Sequence, residues 1–212
     1  MAHWEIQSGK EPIRIFKSDF MEFFTHIHPA VVFVFWFPII AFLLLYTVFT
    51  ADQTTGYVFI PVCYVIGLFL WTLVEYTLHR FVFHFEPRTK RQERISFLFH
   101  GVHHVQPMSK TRLVMPPAVS VPIGAISFGV LALTVGVLLG KWHWTYAIFA
   151  GLLSGYLCYD MMHYAMHHFR LRSKALKFVR KHHMQHHAST PDMRFGVSSP
   201  LWDYVFKTMP KE

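Results

Sequence analysis

The stretch Trp71-Thr72-Leu73-Val74-Glu75-Tyr76-Thr77-Leu78-His79-Arg80-Phe81-Val82-Phe83-His84 joins the two features that decide the fold, an apolar helix and a histidine cluster. The apolar run that ends here begins at Gly56. A helix over residues 56–84 would be about 43 Å long at about 1.5 Å per residue. Because the hydrocarbon core of a bilayer is about 30 Å thick, such a helix would cross a membrane and continue beyond it.

Three further histidine clusters follow along the chain: His100-Gly101-Val102-His103-His104, His163-Tyr164-Ala165-Met166-His167 and His183-Met184-Gln185-His186-His187. The four clusters hold ten of the 16 histidines. Neutral imidazole is a common metal ligand, and a six-coordinate ion with one open position takes at most five ligands. Ten histidines therefore predict two metal ions. The predicted ligands are His79, His84, His100, His103, His104, His163, His167, His183, His186 and His187.

The spacing within the clusters predicts ligands on helices. Positions i, i+3 and i+4 share one helix face, so each H-x-x-H-H set can point to a common place. His79 and His84 are five residues apart, about 140° around a regular helix, and fit only if they bind different ions or if the helix is distorted. Glu75 and Asp160 precede histidines by four and three residues. We expect them to accept hydrogen bonds from the outer ring nitrogens of ligands.

The remaining composition predicts a membrane protein, with 53% hydrophobic and only 15% charged residues. Apolar runs predict spans over residues 31–50, 56–74, 118–139 and 144–158, after an N-terminal segment 1–28 and within a membrane domain 29–212. In this topology 19 of the 20 Lys and Arg residues lie on one side. The positive-inside rule makes that side cytoplasmic, together with both termini and all four clusters. The expected fold is an all-α integral membrane protein, with four transmembrane helices and a cytoplasmic helical cap that holds a histidine-rich dimetal site.

Other features carry less functional information. The bases flank apolar segments instead of forming a stripe with exposed aromatic residues, which argues against nucleic-acid binding. Cys63 and Cys158 lie in apolar runs and are expected to be core residues. The histidines outside the spacing pattern are expected to be surface or structural residues: His3, His26, His28, His143, His168 and His182.

An all-nitrogen ligand set suits zinc, iron, copper or nickel, so spacing alone does not choose the metal. Two zinc ions would favour hydrolysis, and two iron ions would favour dioxygen activation. Hydrolysis is disfavoured because no H-E-x-x-H motif occurs and the clusters contain no carboxylate placed as a general base. The position beside the lipid favours an acyl or sterol substrate.

The clusters resemble the histidine boxes of the fatty acid hydroxylase/sterol desaturase superfamily. Within it, the chain is similar to the fatty acid 2-hydroxylases that act on sphingolipid acyl chains, without the fused cytochrome b5 domain that many members carry. The resemblance covers about residues 14–210. Besides the 71–84 stretch, the segments that carry it are 16–24, Arg112-Leu113-Val114-Met115-Pro116-Pro117, Gly155-Tyr156-Leu157-Cys158-Tyr159-Asp160 and Phe195-Gly196-Val197-Ser198-Ser199 with Trp202-Asp203.

The resemblance implies O2-dependent hydroxylation at C2 of a fatty acyl chain, in ceramide or dihydroceramide. It assigns the ten histidines to two ions, iron for the chemistry, with zinc able to occupy the site in a structure. Candidate substrate-pocket residues are Tyr159, Tyr164, Met115 and Trp202. Lys207 stands where this branch usually has glycine.

The same resemblance implies a separate electron donor, such as cytochrome b5 or a ferredoxin. His28-Pro29 continues with Ala30-Val31 and not with the glycines of a haem motif, so no haem is expected in this chain. The expected location is the endoplasmic reticulum or a bacterial inner membrane. Two alternatives stay open: a sterol or carotenoid hydroxylase or desaturase of the same superfamily, and a non-enzyme such as a membrane metal transporter or haem protein.

Overall fold

The computed structural model describes residues 12–51 and 57–210, and every regular element in these ranges is helical. His3 and the predicted start of the second span at Gly56 lie outside the described residues. The α-helices are α1 (Asp19–Phe23), α2 (Pro29–Thr50), α3 (Phe59–Thr77), α4 (Lys90–Ser96), α5 (Val102–Val105), α6 (Pro117–Leu131), α7 (Trp142–His168), α8 (Lys174–Ala188) and α9 (Leu201–Val205). Three π-helical segments, Leu78–Phe83, Phe97–Gly101 and Ala132–Leu138, adjoin them.

The described residues pack into two units. The apolar unit comprises residues 29–71 and 115–158, apart from the undescribed turn 52–56. The histidine unit comprises residues 12–28, 72–114 and 159–210. The chain passes between the units four times, so each unit is built from segments that are distant in sequence.

Three helices among the described residues are long and apolar enough to cross a membrane: Pro29–Thr50, Phe59–Phe83 and Pro117–Leu138. Large apolar side chains on them are exposed, including Phe49 at 82% and Ile126 at 69%. Exposed apolar surface of this extent is typical of contact with lipid. The first three predicted spans therefore correspond to helices of suitable length and composition.

The fourth predicted span, residues 144–158, is not among these helices and stays a prediction. Its segment lies in α7, which has 27 residues but carries several polar and small side chains. Ala147, Ala150 and Tyr156 on this helix are buried. A helix covered by neighbouring helices does not need the uniformly apolar surface of a lipid-facing span, which explains its lower hydropathy.

Close packing of α3 against α7 within the apolar unit depends on two glycines. A Cβ added at Gly67 would lie 2.0 Å from the Ile148 carbonyl oxygen, and one added at Gly151 would lie 2.0 Å from the Tyr64 carbonyl oxygen. Both clashes are with backbone, which cannot move aside as a flexible side chain can. Small residues of this kind let membrane helices approach closely.

Local sequence explains where the helices of the histidine unit begin. The Thr89 hydroxyl accepts a hydrogen bond from the Gln92 N–H at 3.2 Å and caps α4. The Ser173 hydroxyl accepts one from the Leu176 N–H at 3.1 Å and caps α8. Side-chain caps of this type satisfy backbone donors that have no partner within the helix. They set the start of α8, the helix that carries the last histidine cluster.

An ion pair attaches the N-terminal segment to the loop after α5. The Arg112 guanidinium donates hydrogen bonds to the Glu22 carboxylate and to the Ile13 carbonyl oxygen. It also lies 2.8 Å from Nε2 of His26, a histidine expected at the surface. The Arg112 side chain is only 3% exposed, so its charge depends on these partners. Two of the segments that carried the family resemblance, 16–24 and 112–117, thus meet in one structural contact.

Candidate metal centre

Five histidines from three of the four histidine clusters form the first group, and each offers one ring nitrogen within 4.8 Å of the others. All five are buried. Its members are His79, His84, His100, His104 and His186. Residues up to 107 positions apart in sequence therefore converge as the topology predicts.

A π-helical turn resolves the unfavourable spacing of His79 and His84. The segment Leu78–Phe83 is π-helical, and the His84 N–H donates to the His79 carbonyl oxygen at 3.0 Å, five residues back. A π turn brings residues i and i+5 to nearly the same side, whereas an α-helix separates them by about 140°. Of the two explanations left open by the sequence, local distortion is the one observed, because both residues belong to one group.

The second group contains the other five predicted ligands, again with their ring nitrogens within 4.8 Å of one another. Four are buried and His187 is half-buried. Its members are His103, His163, His167, His183 and His187. The structure thus brings together all ten predicted ligands in two sets of five.

The H-x-x-H-H clusters divide between the groups, which corrects the expectation that each set points to one place. His100 and His104, at i and i+4, belong to the first group, while His103 belongs to the second. In the other cluster the i and i+4 pair belongs to the second group and the central His186 to the first. The imidazole rings of His104 and His187, one from each group, are 4.3 Å apart between centroids. The two groups are therefore adjacent, and rings from one group contact rings from the other.

The spacing of the ring nitrogens fits metal coordination. The Nε2 atoms of His79 and His100 are 3.0 Å apart, and that of His84 lies 3.2 Å from His104 and 3.1 Å from His186. In the second group the corresponding separations are 3.0 to 3.1 Å. Two ligands at right angles around an ion with metal–nitrogen bonds of about 2.1 Å are separated by about 3.0 Å. The residues present therefore fit a metal ion in each group.

Burial keeps these imidazoles in the neutral form that binds metals. Burial, followed by the charges of neighbouring side chains, lowers the pKa of His104 to about 3 and that of His167 to about 3. The same causes lower the pKa of seven others: His84, His100, His103, His163, His183, His186 and His187. A neutral imidazole offers a lone pair to an ion without a competing proton.

Two aromatic side chains surround the first group. The Phe83 ring stacks on His100 with centroids 5.4 Å apart, and the Phe195 ring lies 5.6 Å from His84 and 5.9 Å from His79. Both phenylalanines are buried. An apolar lining of this kind limits the access of water and strengthens electrostatic interactions at the ion.

The two predicted carboxylate partners are both buried. Glu75 accepts hydrogen bonds from the N–H groups of Val197 and Ser198, each at 2.7 Å, and from the Ser198 hydroxyl. This carboxylate therefore holds the backbone of the segment after α8. Asp160 is 1% exposed on α7, three residues before His163. Their predicted hydrogen bonds to ligands stay predictions.

Of the four candidate substrate residues, two lie on α7 and the other two lie elsewhere in the chain. Tyr159 is buried, with its ring 5.7 Å from that of His163, and the Tyr164 ring is 4.4 Å from that of His168. The Trp202 indole N–H donates to the Thr72 hydroxyl at 2.9 Å. Met115 lines a small cavity of the apolar unit, together with Trp71, Ser120, Ile123, Gly124, Ser127, Leu152, Leu153 and Tyr156. Their roles stay predictions.

Sequence reasoning missed the buried carboxylate of Asp203. Burial raises the pKa of this group, but hydrogen bonds from His182, Thr208 and the Gly196 N–H outweigh it and lower the pKa. His182 is accordingly a structural residue that donates to Asp203 at 3.0 Å, and it belongs to neither histidine group. Only the Trp202-Asp203 pair within the resembling segments pointed to this position.

The fold and site define a class: a helical protein with helices of membrane-spanning length and two adjacent, buried groups of five histidines. The sequence model of the fatty acid hydroxylase family matches residues 64–208. The chain therefore belongs to the fatty acid hydroxylase family, as its resemblance predicted.

Characterised relatives support the same assignment. The chain is 38% identical to the ceramide very long chain fatty acid hydroxylase SCS7 of Saccharomyces cerevisiae, over 94% of this chain and 50% of that protein. It is 34% identical to the dihydroceramide fatty acyl 2-hydroxylase FAH2 of Arabidopsis thaliana, over 93% and 80% respectively. It is 33% identical to the fatty acid 2-hydroxylase of Homo sapiens, over 99% and 60%. The chain thus spans about half of the yeast protein and most of the plant one.

A solved structure, full-length scs7p with only its hydroxylase domain visible, is similar in fold. The TM-score is 0.82 at 36% identity, and the match covers 91% of this chain and 70% of the other. The expected membership of the fatty acid hydroxylase family is therefore confirmed.

Proposed function

We propose that this protein hydroxylates C2 of a fatty acyl chain, in ceramide or dihydroceramide, in a reaction that consumes O2. The observation that carries the proposal is the pair of adjacent five-histidine groups. The relatives named above, which are hydroxylases of ceramide, dihydroceramide or fatty acids, supply the substrate class. Insertion of one oxygen atom into a C–H bond leaves the other as water and requires two electrons and two protons from outside.

Two iron ions are the proposed cofactor, one held by each histidine group. When bound, they would supply the redox chemistry that activates dioxygen, which zinc cannot do because it has a single oxidation state. Zinc suits the same nitrogen ligands and could replace iron without supporting turnover. The ten imidazoles contribute neutral ligands, and the Phe83 and Phe195 rings exclude water from the first group.

A separate protein is the proposed electron donor. Residues 169–191 include six Lys or Arg residues and no Asp or Glu. The next acidic residue along the chain is Asp192. Lys174, Lys177 and Lys181 on α8 are exposed. An acidic carrier such as cytochrome b5 or a ferredoxin would be attracted to this positive surface, and its association would weaken as salt is added.

The proposed setting is a membrane with the histidine unit on the cytoplasmic side. Two observations support this setting: 19 of the 20 Lys and Arg residues lie on one side in the predicted topology, and three of the described helices are long and apolar enough to cross a membrane. The fourth span, within α7, is part of this proposal. Labelling of cysteines introduced at Lys141 and at Lys174 tests it, because the proposed topology places these positions on opposite sides. The endoplasmic reticulum and a bacterial inner membrane both fit.

Expression in a host that lacks 2-hydroxylated sphingolipids tests the activity, with lipid products identified by mass spectrometry. The intact chain is expected to produce lipid with a hydroxyl at C2 of the acyl chain, and His104→Ala is expected to produce none. His143→Ala is the matched control, because this histidine belongs to neither group. Unchanged product in His104→Ala would contradict the ligand assignment. A hydroxylated sterol or carotenoid in place of the acyl product would refute the proposed substrate.

A further inference from the structure

Two ligands of the first histidine group are oriented by backbone carbonyls of the segment after α8. Nδ1 of His79 donates to the Phe195 carbonyl oxygen at 2.5 Å, and Nδ1 of His186 donates to the Met193 carbonyl oxygen at 2.7 Å. A donated hydrogen bond from the outer nitrogen fixes the tautomer and the direction of the ring, so that Nε2 faces the ion. The position of residues 193–195 therefore sets the position of two ligands.

The second group has no comparable support among the described residues. The Nδ1 atoms of all five of its rings are buried without a hydrogen-bond partner there; these are the rings of His103, His163, His167, His183 and His187. None of these five rings is therefore oriented through Nδ1 by the described residues, in contrast to His79 and His186. The two groups are therefore alike in ligand type and number but differ in what holds the ligands.

Asp203 holds the segment that orients the first group. Its carboxylate is fully buried and accepts hydrogen bonds from the Phe195 and Gly196 N–H groups, each at 2.8 Å, and from the Thr208 hydroxyl at 2.7 Å. The fourth donor is Nε2 of His182 at 3.0 Å. The peptide unit between Phe195 and Gly196 is thus bonded on both sides, through the Gly196 N–H to Asp203 and through the Phe195 carbonyl to His79.

The backbone approaches this carboxylate too closely for any side chain at residue 196. A Cβ added at Gly196 would lie 2.9 Å from Oδ2 of Asp203 and 2.1 Å from the Ser199 carbonyl oxygen. The close fit leaves little freedom for residues 195 and 196 while the carboxylate is in place. Loss of one acceptor oxygen would release the Gly196 N–H and, with it, the neighbouring carbonyl.

We propose that Asp203 is a positioning residue for the metal ion of the first histidine group alone, so that the two metal sites respond differently to its loss. This inference rests on the proposed two-metal function. Partners that orient metal ligands in this way typically contribute about 10–100-fold to metal affinity. The ion of the second group does not depend on this segment and keeps its affinity.

The test uses the full chain in lipid nanodiscs, loaded with zinc, which binds nitrogen ligands and is redox-inert. Metal content per chain and affinity are measured by mass spectrometry and chelator competition. The unchanged chain is expected to bind two ions, and Asp203→Asn to bind one of them about 10–100-fold more weakly. Asparagine keeps the volume but places an N–H2 group where one carboxylate oxygen accepted hydrogen bonds.

Two further backgrounds identify the site that is affected. In His84→Ala, where the first group is already incomplete, adding Asp203→Asn is expected to change the metal content no further. In His167→Ala, where the second group is incomplete, adding it is expected to weaken binding of the remaining ion about 10–100-fold. Thr208→Val is the control for general destabilisation, because it removes one hydrogen bond to Asp203 but leaves those of Phe195 and Gly196.

The inference is overturned if Asp203→Asn binds both ions as the unchanged chain does, or if it weakens them equally in the two backgrounds. It is also overturned if Thr208→Val reproduces the selective loss, since the effect would then be one of stability. An unchanged chain that binds no metal would instead refute the proposed function itself, so the two failures are distinguishable.

Discussion

Acidification of the metal-free protein is expected to unfold the histidine unit cooperatively. Nine histidines of the two groups have a lowered pKa in the folded chain, with values of about 3 for His104 and His167. Between the unfolded pKa of about 6.5 and these lower values, the unfolded chain binds protons that the folded chain does not. Stability therefore rises with pH in this window and is lost as the pH falls below about 6.5.

The magnitude follows from the number of buried imidazoles. Between pH 6.5 and 5.5, each histidine that stays neutral when folded lowers the free energy of unfolding by about 1 kcal/mol, so nine lower it by about 9 kcal/mol. A typical domain has only about 5–15 kcal/mol in total. The transition should therefore fall near pH 6 and be complete within about half a pH unit, because many protons bind together. Bound metal stabilises the folded state and moves the transition to lower pH.

Circular dichroism and tryptophan fluorescence between pH 8 and pH 4 measure this transition in nanodiscs, on chelator-treated and on zinc-loaded protein. His143→Ala serves as the control, since this residue is outside both groups and should leave the midpoint unchanged. A chelator-treated protein with the same melting temperature at pH 7.5 and pH 5 would refute the reasoning, because the imidazoles could not then be buried in neutral form.

Three further substitutions test the packing described above, each by thermal unfolding. Gly151→Ala is expected to cost about 1–3 kcal/mol or more, since its methyl group meets backbone, whereas Gly129→Ala, with nothing within 4 Å, should not destabilise; equal melting temperatures would contradict this packing. Lys207→Gly is expected to stabilise by about 1 kcal/mol because Lys207 has φ 56°, and no gain would argue against a strained turn. Glu22→Gln should cost about 1–3 kcal/mol by depriving buried Arg112 of its counter-charge, and earlier proteolysis of the N-terminal segment should accompany it.

The convergence of the ten histidines could be predicted from sequence because their spacing and the predicted membrane topology are independent signals that agree. Helix spacing selects His163 and His167, or His100 and His104, as pairs on one face. The topology predicted from the alternating apolar runs then returns every cluster to the same side of the membrane. Histidine spacing and apolar runs are both local patterns, so both can be recognised in a single sequence.

The division of ligands between the two groups could not be predicted, because it depends on packing between helices. Within α5, His103 and His104 are adjacent in sequence yet belong to different groups. The π-helical turn before His84 is likewise invisible to a pattern that assumes a regular helix. The role of Asp203 could not be predicted for a related reason. Its hydrogen-bond donors are the backbone N–H groups of residues 195 and 196, which approach the carboxylate only after the chain folds back.

The interleaving of the clusters bears directly on what the two ions could do together. If each H-x-x-H-H cluster bound an ion of its own, the two metal sites could lie far apart in the histidine unit and have separate structural roles. Because His103 and His104 are neighbours on one helix and belong to different groups, the ions proposed for these groups would also be neighbours. The pair His186 and His187 imposes the same condition from α8, with ring centroids 5.7 Å apart. Two helices thus enforce the adjacency that the proposed two-metal reaction on one acyl chain would require.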